Sequence, residues 1–176
     1  QSNLNVKIIV THAGLLTGED GISAQSIEDI AIMNALPNFN VIVPSDTIET
    51  TSAIKTAIAT EGPFYIRLSR PPTPILHDKE TFQLGKGDLI KEGQDVTIIA
   101  CGIMVSKAII AAENLALKGI TCRIINMSTI KPIDSSIIIE SALTGHFNLL
   151  NSSATTFLLA LGLNSNRKTQ PPRSLT

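Results

Sequence analysis

Tryptophan is absent from this 176-residue chain, and the whole aromatic content is one Tyr and five Phe. A core built around large rings is excluded. The interior has to come from Ile, Leu, Val and Ala, and runs of β-branched residues suit strands covered on both faces, as in parallel sheets. Cysteine is nearly absent too. Cys101 and Cys122 are far apart, and each sits in an apolar run, Val96–Cys101 and Cys122–Ile125. They read as two buried reduced thiols, because metal binding wants closer spacing or histidine company. There is no excess of either charge. The formal net charge is −1, so no basic field holds nucleic acid or an anionic membrane. No apolar run is long enough for a membrane span. The polar start Gln1-Ser2-Asn3-Leu4-Asn5 does not resemble a signal peptide, which makes a reduced cytoplasm the expected compartment. No Walker loop, Rossmann glycine pattern or metal-ligand cluster is found.

What is present is a globular composition, 43% apolar and 16% charged, with a length that suits one ordinary domain or two small ones. Strands are expected at Val6–Val10, Val41–Val43, Phe64–Leu68, Val96–Cys101 and Thr121–Met127, with a further one possible at His146–Leu150. Helices are expected between them. The first is capped by Ser26, has Asp29 in its first turn, ends near Leu36, and is apolar enough on several sides to be largely buried. The second starts at Asp46, where Glu49 stands at capping-box spacing. The third spans Ser106–Lys118 with Ile109, Ala112, Leu115 and Ala116 inward, and the fourth runs from Asp134 through Ala142. Pro71 to Gly87 has prolines, glycines and mixed charge without periodicity, and reads as a linker. The expected fold is therefore α/β, with two open, mostly parallel-sheet units. Residues 151–176 read as an irregular tail.

The loop Thr11–Gly21 follows a strand and precedes a helix, where ligand crevices of open α/β sheets form. It places His12, Glu19 and Asp20 among three glycines. Those groups can bind sugar hydroxyls or move protons, or they can be solvated groups on an ordinary turn. Arg70 ends a strand at the same edge. It is either a phosphate clamp or a surface arginine. His77 and His146 are isolated, and no role falls to them. Gly85-Lys86-Gly87 reads as a turn.

Several separated motifs, in order, resemble the transketolase family. They are Thr11-His12, Gly18-Glu19-Asp20-Gly21, Gln25-Ser26-Ile27-Glu28-Asp29, Val43-Pro44-Ser45-Asp46 and Ile66-Arg67-Leu68-Ser69-Arg70, followed by Gly93-Gln94-Asp95-Val96-Thr97 and Ile130-Lys131-Pro132-Ile133-Asp134. The resemblance implies a partial thiamine pyrimidine-binding domain over 1–70, a linker over 71–87 and a truncated C-terminal domain over 88–150. It also implies thiamine diphosphate and Mg2+ as cofactors and sugar phosphates as substrates. The activity implied is two-carbon ketol transfer from a ketose phosphate to an aldose phosphate. His12 matches a substrate-contacting histidine, Asp20 an aspartate that bonds a sugar hydroxyl, and Arg70 the arginine that holds the substrate phosphate. A further family histidine falls on Ala24, which cannot make that bond.

The family glutamate that activates the aminopyrimidine, and the aromatics that stack on that ring, are expected upstream of Gln1. The diphosphate- and metal-binding domain is not among these residues, so the resemblance implies a partner subunit or domain, a homo- or hetero-oligomer, and no turnover by this chain alone. After Gly145 the family pattern of an acidic-histidine strand and glycine-rich turn is lost, as a truncation or a change of reading frame would cause. Two other functions fit the same fold: a non-catalytic binding or interaction fragment, and a β-type chain of an α-keto-acid dehydrogenase.

Overall fold

Strand Phe64–Arg67 shows how the first unit is assembled. All four of its residues are buried. Phe64 and Ile66 face one side, against Ala53 and Ala57, while Tyr65 faces the other, against Ile30, Val41 and Val43. A strand covered on both faces is the parallel-sheet signature. The structure, a computed structural model, describes residues 3–144 together with the backbone of 146–149. In chain order the elements are β1 (Lys7–Val10), α1 (Asp29–Ala35), β2 (Asn40–Ile42), α2 (Thr47–Ala59), β3 (Phe64–Arg67), β4 (Asp88–Lys91), β5 (Val96–Ala100), α3 (Met104–Ala116), β6 (Cys122–Asn126), β7 (Thr129–Lys131), α4 (Ser135–Thr144) and β8 (His146–Leu149). The tail expected over 151–176 lies outside the described residues.

Two four-stranded sheets result, ordered β1-β3-β2-β7 and β4-β6-β5-β8. The α/β reading with two mostly parallel sheets holds. β5 and β6 pair in parallel, Val96 opposite Cys122 through Ala100 opposite Asn126. Two antiparallel strands, β4 on β6 and β7 on β2, were not legible in the sequence. β7 matters most, because it leaves the second half of the chain to extend the first sheet. Lys131 at its end donates to the α1 carbonyls of Asn34 (2.9 Å) and Leu36 (2.7 Å), supplying a cation where the last helical carbonyls lack partners. The Ile130–Asp134 motif therefore joins the units. Asp134 then caps α4, accepting from Ser136 (3.1 Å) and Ile137 (3.3 Å).

The linker is better anchored than its composition suggests. Phe82 and Leu84 pack on the α2–β3 cluster, and Asp46 accepts the Leu76 and His77 amides at 2.7 and 2.8 Å. Asp46 also caps α2 through the Glu49 amide (2.8 Å), as the sequence predicts. Glu49 departs from the reciprocal capping box. Its carboxylate takes the Ser45 amide and hydroxyl, both at 2.7 Å, and Asn126 of β6 at 2.9 Å. The cysteines are both buried thiols.

Two helices differ from expectation. α1 starts at Asp29, not after Ser26, and no side chain caps it. Asp29 is drawn inward instead, as described below. Ala31, Ile32 and Ala35 of α1 are exposed, so the expected burial of this helix does not occur within the chain. α3 is shifted toward the N-terminus. Val105, Ala108 and Ala112 form its buried face, a heptad-like spacing, and Ala116 is exposed. Among the described residues, no helix is long and apolar enough to cross a membrane.

Candidate functional site

β1 and β3 run in parallel with Val10 opposite Arg67, so the segments leaving them emerge at the same sheet edge. His12 follows β1 and Arg70 follows β3. The chain between Leu15 and Asp20 winds as 3-10 turns, broken at Gly18, whose φ of 69° and ψ of −118° only glycine adopts readily. His12 itself has φ 64°, an uncommon conformation for a residue with a side chain.

Thr17 holds this conformation. It is 1% exposed, its hydroxyl donates to the His12 carbonyl, and its own carbonyl accepts from Arg70 Nη1. The same Nη1 lies 3.1 Å from Asp20 Oδ2. Arg70 thus meets both the Thr17 carbonyl and the Asp20 carboxylate, while His12 is tied to the same threonine through its backbone carbonyl. His12 and Asp20 are exposed, and Arg70 is about a third exposed. His12 Nδ1 lies 2.8 Å from Thr11 Oγ1. Glu19 is exposed as well, without a hydrogen bond that would tie it into the cluster.

The arrangement can do two things. Exposed imidazole and carboxylate groups can bond hydroxyls. The guanidinium is tethered by one nitrogen and keeps donors for an anion, because a guanidinium carries five N–H groups in a planar fork.

A second charged group lies beneath this loop. Arg67, 5% exposed, places Nε 2.9 Å from Asp29 Oδ2, and the Tyr65 hydroxyl donates to the same oxygen at 2.6 Å. Burial and the Asp29 carboxylate push the Tyr65 hydroxyl far above its ordinary pKa, so it stays a donor. Arg67 Nη2 is buried without a hydrogen-bond partner. It borders a cavity of about 20 Å³ lined by Ala13, Gly14, Val43, Ser69 and Gly102, which is about the room one water occupies.

The third polar cluster joins the units. His77 Nδ1 lies 2.8 Å from Asp46 Oδ2 and Nε2 lies 3.2 Å from Asp88 Oδ2. The bond to Asp88 does most to raise the His77 pKa, to about 9. Burial opposes the rise, and Asp46 and the Glu49 charge add to it. Burial pushes the Asp46 carboxyl up, but the bonds it accepts from Glu49, Leu76 and His77 outweigh that and hold it below its usual range.

Sequence reasoning missed Thr17, Arg67, Asp29 and His77. Arg67 had a signal: a charge inside the otherwise apolar strand Phe64-Tyr65-Ile66. Asp29 reads in the sequence as a first-turn acid of a helix capped by Ser26, and His77 has no local signal because both its partners are remote in sequence.

Comparison with known proteins decides the family. Residues 1–74 match the family model described as transketolase, pyrimidine binding domain, and residues 85–156 match that described as transketolase, C-terminal domain. The chain belongs to the transketolase family. The second match extends past Gly145, where the motif reading loses the pattern. A protein of Methanocaldococcus jannaschii named as a transketolase C-terminal section is 49% identical over 141 residues, covering 78% of this chain and 45% of the relative. A Clostridium 6-deoxy-6-sulfo-D-fructose transketolase subunit is 40% identical, covering 81% and 44%. A split-gene transketolase solved as an inactive β4 tetramer superposes with a TM-score of 0.77 at 43% identity, covering 85% of this chain and 48% of that one. The chain thus spans less than half the length of these relatives.

Among the described residues no group of three or more His, Cys, Asp or Glu could hold a metal ion. These residues therefore offer the magnesium-bound diphosphate no ligand set of their own.

Proposed function

We propose that these residues form the sugar-phosphate-binding part of a thiamine-diphosphate-dependent ketol transferase, which moves a two-carbon unit from a ketose phosphate to an aldose phosphate. The observation that carries the reading is the pairing of Arg70 with Asp20 and with the carbonyl of Thr17, whose hydroxyl holds the His12 backbone, at the carboxyl edge of β1 and β3. In this role Arg70 pairs with the anionic end of the sugar by charge-assisted hydrogen bonds. Asp20 and His12 bond hydroxyls nearer the reacting carbons. Asp20 and Arg70 are bonded to each other in the chain as it stands, so substrate exchanges part of that pair for its own contacts.

The diphosphate and its metal are held by a section outside the described residues, on the same polypeptide or on a partner subunit. Turnover needs both sections. The exposed Ala31, Ile32 and Ala35 of α1 support such a partner, since contiguous apolar surface favours association. The buried thiols and the absence of a spanning helix among the described residues suit a cytoplasmic enzyme.

Ala24 leaves one hydroxyl contact of the family unmade, so the sugar preference of this enzyme differs from that of a transketolase with histidine there. The Clostridium relative is named for a sulfonated sugar, and the Arg70 guanidinium suits a sulfonate as well as a phosphate. The test is binding of a ketose phosphate, the matching sulfonate and the uncharged ketose, each titrated against the chain and its Arg70→Ala variant. Anion-selective binding that disappears in the variant supports the reading. Equal binding of charged and uncharged sugars refutes it.

A further inference from the structure

Arg67 poses a problem of cost. An ion pair in the interior loses hydration that its own attraction barely restores, and an apolar pair of the same volume is often as stable. Here one guanidinium nitrogen also lacks a partner, which is a further penalty. Stability alone does not explain the pair, but its position does. Asp29 is the first residue of α1, so it stands at the downstream end of the loop that carries His12 and Asp20. Gly14 stands near the upstream end, and a Cβ added there would lie 2.7 Å from Arg67 Nη2. The guanidinium thus presses against the backbone where the loop begins and holds a carboxylate where it ends. The Gly14 amide meanwhile donates to the Ser26 carbonyl at 2.8 Å, closing the two ends on each other. Tyr65 fixes the Asp29 carboxylate from the same strand that carries Arg67.

We propose that Arg67 is a positioning residue: with Asp29 it clamps residues 12–28 in the conformation that sets Thr17 and Asp20 against Arg70. It touches no substrate. Gly14 suits its position because its φ of 82° favours glycine and because a Cβ there would push the Arg67 guanidinium off Asp29. For catalysis this inference rests on the sugar-binding reading above, but the clamp itself is independent of it.

The single variant Arg67→Met would strand a buried carboxylate and is expected to lose stability for that reason alone. The informative variant is therefore Arg67→Met with Asp29→Asn. It removes both charges, keeps the volumes and leaves Tyr65 an acceptor. Hydrogen exchange at the Gly14 amide, measured on the full chain, should quicken at least tenfold in the double variant while the thermal midpoint stays close to the parent's. Arg67→Lys, which keeps a charge for Asp29, should restore most of the protection. Unchanged protection at Gly14 in the double variant would overturn the clamp.

A second arm uses the chain combined with a diphosphate-binding transketolase section. There the double variant should raise KM for a ketose phosphate about tenfold with kcat within a factor of two. A loosened loop with an unchanged KM would leave the clamp standing and overturn instead the assignment of this loop to substrate.

Discussion

Neutralising His77 should weaken the chain in a pH-dependent way, and the size of the effect follows from its surroundings. His77 lies between Asp46, which is fully buried, and Asp88, which is about half exposed. Glu49 adds negative charge from α2, and Lys86 shares the adjoining cavity with Glu49, Asp88 and Ser128. The imidazolium is favoured in the folded chain, with a pKa of about 9 against an ordinary 6.5. At about 1.4 kcal/mol per tenfold change, the difference corresponds to roughly 3 kcal/mol. The solvent-screened bond to Asp88 is worth less than its geometry suggests, so about 2 kcal/mol is the working figure. Because the folded pKa is the higher one, this stabilisation is complete below about pH 6.5. It declines through about pH 8 and is lost as the pH passes 9. His77→Gln should therefore lower the urea unfolding free energy by about 2 kcal/mol at pH 6. By pH 9.5 variant and parent should differ by less than about 0.5 kcal/mol. Asp46, held below the usual carboxylate range, keeps its charge across that window. A difference independent of pH, or a His77 ring titration midpoint below 7 by NMR, would refute the electrostatic account.

Three further outcomes are expected. Gly93→Ala should prevent folding or cost several kcal/mol, because a Cβ there would lie 2.1 Å from the Cys122 carbonyl carbon; a normal circular dichroism melt would contradict this. Thr17→Val keeps the volume but removes the hydroxyl that donates to the His12 carbonyl, and should lower stability by about 1 kcal/mol in chemical denaturation while weakening sugar binding. Arg70→Ala should raise KM for phosphorylated sugars more than for unphosphorylated ones in the combined enzyme, by up to about 1.5–3 kcal/mol of lost contact. Equal effects on both substrates would remove Arg70 from the anion site.

The sequence made some of this legible for plain reasons. Val96–Ala100 and Cys122–Asn126 are apolar runs bracketed by turns, and a helix with clear periodicity joins them, so their parallel pairing could be read directly. β4 and β7 could not. Asp88-Leu89-Ile90-Lys91 is short and charged at both ends, and Thr129-Ile130-Lys131 holds three residues whose partner strand is remote. The site divides in the same way. Residues at strand ends and in a glycine-bearing loop, such as His12, Asp20 and Arg70, announce themselves by position. Thr17, Asp29 and His77 act through partners that only the folded chain brings near. Asp29 reads as an ordinary first-turn acid behind Ser26, because that spacing suits a helix start and carries no sign of an inward-facing partner. Its real neighbours, Tyr65 and Arg67, are on β3, remote in sequence.

The central claim is that this chain provides sugar recognition and gains ketol transfer only when a diphosphate-binding section joins it. It is tested most directly by one assay of two-carbon transfer from a ketose phosphate to an aldose phosphate, with thiamine diphosphate and magnesium present. The chain is measured alone, the diphosphate-binding section alone, and the two mixed. Turnover is expected in the mixture, with a raised KM for phosphorylated substrates on Arg70→Ala, and none in either part alone. Turnover by the chain alone, or a stable complex of the two sections that transfers nothing, would contradict it.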